Sequence, residues 1–143
     1  MKRVLLDDHL LRDLVSGERS DDLEGLLSDH EPATTNLFYA RLCKSVVSAR
    51  GGRLTGSWSK ERRQALGRTL LTLPDAITVV PMRSLAFRMA ELAEPYRLST
   101  LGSEAVAATE HLAALLCVWE GDDGPQIRAA AAAVGAAYRT ISR

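Results

Sequence analysis

The sequence predicts an α/β fold: three layers, α/β/α, around a mostly parallel central sheet, in a single domain over residues 1–143. Three observations carry this. Short apolar or β-branched runs alternate with helical stripes from end to end. The connections between successive runs are long enough to be helical crossovers, as parallel strands require. The composition, 46% hydrophobic and 25% charged over 143 residues, is that of one globular core.

The elements follow in order. Arg3 to Leu6 is a short apolar run ending on Asp7 and Asp8, a buried strand that delivers two carboxylates at its C-terminal end. Leu10, Leu11, Leu14 and Val15 make one helical stripe; Asp7 or Asp8 caps that helix and Ser16-Gly17 closes it. Ser20 caps a second short helix with Leu23, Leu26 and Leu27 on its apolar side. Pro32 to Thr35 is a second short strand. A longer helix runs from Asn36 toward Arg50, with Leu37, Ala40, Cys43 and Val47 on one face, and Gly51-Gly52 ends it. Arg53 to Ser57 is a loop, and Ser59 caps a basic helix from Lys60 to about Leu73.

The β-branched run Ile77 to Val80 is a strand stopped by Pro81. Ser84 to Ala93 is helical, with Phe87, Met89 and Leu92 as a core stripe, and Pro95 ends it. Ser103 caps a helix from Glu104 to about Ala114. Leu115 to Trp119 is a fourth strand. The turn after it feeds a helix with Asp123 as cap and Pro125 near its first position. That Ala-rich helix ends at Gly135, and Ala136 to Ile141 forms the last strand.

The charges balance, 18 basic against 18 acidic residues. Their distribution does not. Residues 1–31 carry nine acids and four bases, a net of −5; residues 32–74 carry eight bases and one acid, +7; residues 75–143 carry eight acids and six bases, −2. A basic middle third is either a face for an anion or acidic partner, or a solvated helical surface offset by nearby acids. No apolar run approaches the roughly 18 residues that cross a bilayer. Asp7 and Asp8 interrupt any signal-peptide core, so the expected location is cytoplasmic, with no membrane partner. Cys43 and Cys117 lack metal-ligand spacing and are expected as reduced core residues.

Function in open α/β sheets collects outside the carboxyl ends of the strands. Three acidic positions are expected there: Asp7 after the first strand, Asp122 after the fourth, and Glu104 opening the helix before it. Converging carboxylates repel one another unless a cation sits between them, and oxygen-only ligands suit Mg²⁺ or Mn²⁺. Each acid taken alone is better explained as a helix cap or a solvated end.

The order of these segments resembles the PIN domains, and in particular the small VapC-like ribonucleases of bacterial toxin–antitoxin systems. Three stretches carry the likeness: Val4 to Leu14, a hydrophobic strand, first acid and apolar helix; Leu98 to Ala114, an acid–Ala segment leading a helix; and Leu116 to Asp123, a strand with a closing acid. The Ala-rich helix ending at Gly135 also fits. The resemblance implies metal-dependent RNA phosphodiester hydrolysis with Mg²⁺ or Mn²⁺ held by acids. It makes Asp7, Glu104 and Asp122 the catalytic and metal-binding positions, with Asp123 nearly as suitable as Asp122. It also implies an RNA ligand, an antitoxin protein and a homodimer as partners.

Two departures from the family pattern bear on activity. Its second acid is matched here by Arg41, and Trp119-Glu120 stands where a Thr often precedes the closing acid. A guanidinium among carboxylates neutralises them as a metal would. Two readings follow: one metal still held by Asp7, Glu104 and Asp122, with Asp8 or Glu120 as a helper ligand, or a non-catalytic domain that binds RNA or protein. Arg41 is expected to point at Asp7 and weaken metal binding, so that activity depends on where its side chain points. Lys60, Arg62, Arg63 and Arg68 are the expected RNA-phosphate or acidic-partner face.

His9, His30 and His111 share no zinc-ligand spacing, and His9 is expected at the surface or as a capping residue. Trp58 and Trp119 are expected to pack, with base stacking the alternative for Trp58.

Overall fold

Val4, Leu5 and Leu6 are fully buried because the first strand, β1 (Lys2–Leu6), lies at the centre of the sheet. The computed structural model describes residues 2–48 and 50–142; Met1, Ala49 and Arg143 of the expected domain lie outside them. After β1 come α1 (Asp8–Ser16), α2 (Asp21–Leu27), β2 (His30–Thr34), α3 (Asn36–Val47), α4 (Gly52–Thr55) and α5 (Lys60–Leu70). Then follow β3 (Thr78–Val79), α6 (Ala86–Ala93), α7 (Thr100–Leu112), β4 (Leu115–Trp119), α8 (Pro125–Ala133) and β5 (Tyr138–Ile141). Single 3₁₀ turns precede α6 (Met82–Ser84) and follow β4 (Glu120–Asp122).

Among the described residues five strands form one sheet in the order β3-β2-β1-β4-β5, with every neighbouring pair parallel. Val4 stands opposite Pro32 of β2 on one side and Leu115 of β4 on the other. The chain therefore winds outward from β1 in one direction and then, from β4, in the other. That reversal opens a crevice at the carboxyl ends of β1 and β4, where open α/β sheets bind ligands.

Strand side chains alternate between faces. Leu5 joins Leu116 and Val118 of β4 with Met89, Leu92, Val106 and Ala130 under α6, α7 and α8. Val4 and Leu6 pack the other way, with Leu10, Leu23, Leu26, Cys117 and Ile141. A third cluster, Leu11, Leu42, Leu54, Leu66, Leu70 and Ile77, binds α3, α4 and α5 to the outside of α1. Both faces of the sheet are covered, which gives the expected three layers. Cys117 is buried and Cys43 half-buried, both free thiols, and burial pushes Cys117 up to about 12. No helix of the described residues is long and apolar enough to cross a membrane.

Four local expectations are corrected. The helix expected from Glu104 begins at Thr100, because the Ser99 hydroxyl, not Ser103, accepts the capping Gly102 N–H at 3.1 Å. Glu104 consequently sits inside α7 rather than opening it. The buried side of α3 is Phe38, Leu42 and Ser45, not the face of Leu37, Ala40 and Val47; Thr35 caps at Phe38, and Val47 is 84% exposed. Phe87 leaves the expected core stripe and is 80% exposed, while Leu85, Met89 and Leu92 fill the core instead. The expected loop after Gly51-Gly52 begins with the short helix α4. Gly51 starts it at φ 72°, and a Cβ there would lie 2.6 Å from the Thr55 carbonyl oxygen, so glycine is required by both backbone and space.

Candidate acidic cleft at the sheet switch point

Asp7 is the first residue past β1 and is fully buried. Its Oδ1 accepts the Leu10 N–H at 2.9 Å and so caps α1; its Oδ2 accepts the Trp119 N–H, also at 2.9 Å, at the end of β4. One carboxylate therefore ties together the two strand ends that flank the crevice.

Asp8 and His9 open α1 and are 2% and 3% exposed. Asp8 Oδ1 accepts the His9 N–H at 3.0 Å. His9 Nδ1 lies 3.2 Å from the same oxygen and 2.9 Å from Asp122 Oδ2. The His9 ring rests on the Trp119 indole, with centroids 4.4 Å apart. Asp122 is presented by the 3₁₀ turn after β4, which folds back so closely over Trp119 that a Cβ on Gly121 would meet the indole at 2.3 Å. Two arginines reach in from the α3–α4 side: Arg41 Nε is 3.2 Å from Asp8 Oδ2, and Arg53 Nη2 is 3.7 Å from Asp122 Oδ1.

The charge states follow from these contacts. Burial first, and hydrogen bonding with Asp122 second, hold the Asp7 carboxyl well above the usual carboxylate range, despite the two backbone N–H groups. Burial opposes charge on Asp122 too, but hydrogen bonds from His9 and Asp7 bring it below its ordinary value. Burial alone would lower His9; Asp122 and Asp8 outweigh it and raise the imidazole to about 9. The centre therefore sets an Asp7 carboxyl that burial disfavours as an anion beside an imidazole that its acidic neighbours favour as a cation, with two guanidinium groups at the rim.

Asp7, Asp8 and Asp122 form one side of an open cleft of about 350 Å³, with His9 behind them. Arg41, Arg53 and Arg97 line it with the three acids, and Phe38, Leu101, Val118 and Ile127 supply an apolar wall. Gly102 of α7 also faces it.

Asp7, Asp8, His9 and Asp122 each offer one ligand atom, all within 4.8 Å of one another, and this buried cluster could hold a metal ion. The donor set is already matched by the chain's own protons and cations. Both Asp7 oxygens accept backbone N–H groups, both Asp8 oxygens face His9 or Arg41, and both Asp122 oxygens face His9 or Arg53. A divalent ion would have to displace the His9 proton and share its ligands with two guanidinium groups. The fit is thus that of a competitor, not of a vacant socket.

Of the residues expected at the site, Asp7 and Asp122 come together as expected. Arg41 reaches the centre but pairs with Asp8 rather than with Asp7. Glu104 lies outside the cluster: fully buried within α7, it accepts the Leu37 N–H and an Asn36 Nδ2–H, each at 2.9 Å, at the start of α3. The earlier start of α7 turns Glu104 toward α3 and leaves Gly102 on the cleft. Asp123 is also outside it, accepting from Arg128 Nη2 and the Tyr138 hydroxyl, each at 2.8 Å. Asp8, weighed only as an auxiliary ligand, and His9, expected at the surface or as a cap, are both buried in the centre, and Arg53 and Arg97 were not anticipated. Two acids and a histidine directly after a buried strand were the available signal for the first pair. Arg53 was hidden by the reading of its segment as a loop.

The four basic residues of α5 lie outside the cleft lining. Lys60 and Arg68 are exposed. Arg62 pairs with Glu18 and stacks 3.6 Å over the Trp58 ring, and Arg63 donates to the Ser48 carbonyl. No family model matches the chain, and no curated protein matches it either.

Proposed function

We propose that this chain is a PIN-like domain that binds the phosphate backbone of RNA at its acidic cleft without cleaving it. The observation that carries this reading is the pairing of the cleft's carboxylates with the chain's own cations: His9 bridges Asp8 and Asp122, and Arg41 holds Asp8. In-line hydrolysis at phosphate needs a metal-bound hydroxide or an equivalent base. Both Asp7 oxygens already accept backbone N–H groups, and Asp8 and Asp122 are engaged by His9, Arg41 and Arg53, so each carboxyl of the centre is occupied by a partner from the chain itself.

The same pairing favours an anionic ligand. Asp8 and Asp122 pair with His9, Arg41 and Arg53, and Arg97 also lines the cleft. A phosphodiester can take bidentate hydrogen bonds from such guanidinium groups. The exposed bases of α5 would extend the same field along the surface.

The test is fluorescence anisotropy with a labelled oligouridylate, in parallel with a cleavage assay in Mn²⁺. Salt-sensitive binding that is lost in Arg53→Met, with the oligomer intact after incubation, is the expected result. Absence of binding sinks the reading.

A second reading is a VapC-like ribonuclease, with an antitoxin and a second copy as partners. It is favoured by the clustering of ligand atoms within 4.8 Å. Mn²⁺-dependent cleavage that disappears in Asp7→Asn would establish it in place of the first. Either activity fits a cytoplasmic location.

A further inference from the structure

Of the two arginines paired with the cleft acids, Arg53 is held the more weakly. It belongs to α4, a helix of four residues, too short to persist without tertiary anchors. Two glycines in the left-handed region, Gly51 and Gly52, precede it. Its own ion pair with Asp122 spans 3.7 Å from a side chain that is 67% exposed, an interaction too weak to position a backbone.

The anchors of α4 come from elsewhere. On one side, the buried hydroxyls of Ser45 and Thr55 close on the Gly51 carbonyl. On the other, the Arg12 guanidinium of α1 donates through Nη1 to the Leu54 carbonyl, the residue next to Arg53. Arg12 is 4% exposed. Its charge is balanced by Asp13, whose Oδ1 accepts from Nε at 3.1 Å and Nη2 at 2.9 Å. The Trp58 ring covers it at 5.7 Å. A buried arginine directed at one main-chain carbonyl makes a charge-assisted bond in a low-dielectric setting, the strongest class available here. Leu54 itself packs into the cluster with Leu11 and Leu42. That burial fixes how far α4 stands from α1, whereas the carbonyl bond fixes its rotation, and so the direction of Arg53.

We infer that Arg12, which does not line the cleft, is a positioning residue for the cleft cation Arg53. The positioning stands on the geometry alone; its consequence for ligand binding rests on the RNA-binding reading above.

Two arms test this on the full chain. In amide hydrogen exchange, the Thr55 and Trp58 N–H groups, which bond to the Gly51 and Thr55 carbonyls, exchange about tenfold or more faster in Arg12→Met, while Leu5 and Leu116 in the central strands keep their rates. Arg12→Lys, which retains a donor for the Leu54 carbonyl, restores part of the protection. Where Arg12→Met does not fold, Arg12→Met/Asp13→Asn gives the same comparison with the charge at both positions removed together. Unchanged exchange in α4, or a uniform increase that includes the central strands, overturns the inference. In the second arm, oligouridylate affinity falls by the same factor in Arg12→Met and Arg53→Met, and the double variant loses no more, whereas the losses in Arg12→Met and Arg41→Met multiply. Losses that multiply for the Arg12 and Arg53 pair also overturn it. If the unsubstituted protein does not bind the oligomer, the RNA reading fails and the exchange arm alone decides the role of Arg12.

Discussion

His9 and Asp122 are 113 positions apart in sequence, and the Nδ1 of one lies 2.9 Å from a carboxylate oxygen of the other. This contact closes the crevice between the ends of β1 and β4 with a salt bridge that belongs to the chain itself. Its pH dependence can be worked out. A histidine raised from an ordinary value of 6.5 to about 9 contributes stability that is fully present below pH 6.5 and is lost as pH rises through 9. The unfolding free energy of the native protein should therefore exceed that of His9→Gln by on the order of 3 kcal/mol near pH 6, shrinking steadily toward pH 9.5. Urea unfolding of both proteins at a series of pH values checks this. A difference that grows with pH would contradict it.

Glu104 provides a contrast between stability and ligand binding. Its buried carboxylate accepts from Leu37 and Asn36, so removing it strands two donors at the start of α3. Glu104→Ala should cost about 2–4 kcal/mol in chemical denaturation. Its affinity for Mn²⁺, measured on the folded variant, should equal that of the native protein. A selective loss of Mn²⁺ binding would return Glu104 to the site.

Much of the fold was legible in the sequence because its signals are local. Asp7 and Ser20 were each beside an apolar stripe, and the runs 4–6 and 115–119 have no polar interruption, so caps and central strands could be placed directly. The misplacements arose where two local signals competed. Ser99 and Ser103 both suit an N-cap, and the choice between them decides whether Glu104 or Gly102 faces the cleft. The buried side of α3 depended on what α5 and α7 place against it, which no periodicity reports. Asp7 and Asp122 were found at the site because they follow strands. His9 and Arg53 escaped because their partners lie in distant segments.

Gly102 supplies a gain-of-acid test. A Cβ there would meet only ordinary contacts, the nearest being Ser99 Oγ at 3.5 Å. Gly102→Asp should fold with a stability change within about 1 kcal/mol and add a carboxylate to the cleft wall. It should weaken oligouridylate binding by several-fold at low salt, an effect that fades as salt is raised. Unaltered binding would mean that the ligand does not enter this cleft.

The α5 bases can be separated from the cleft by their salt dependence. Replacing Lys60, Arg63 and Arg68 together by Gln should flatten the slope of log affinity against log salt by up to about one unit per phosphate contact removed. Arg62→Ala should additionally lower stability by about 1 kcal/mol, through loss of its stacking on Trp58 and its exposed pair with Glu18. An unchanged slope in the triple variant would remove α5 from the RNA-binding face.

The central claim is that the chain's own cations stand where a metal ion would otherwise sit. Calorimetric titration of Mn²⁺ into the native protein and into Arg41→Glu tests it most directly. That substitution changes the local charge by two units beside Asp8, where Arg41 Nε now lies 3.2 Å away. The native protein should bind weakly, and the variant at least about tenfold tighter. Equally tight binding by both would contradict it.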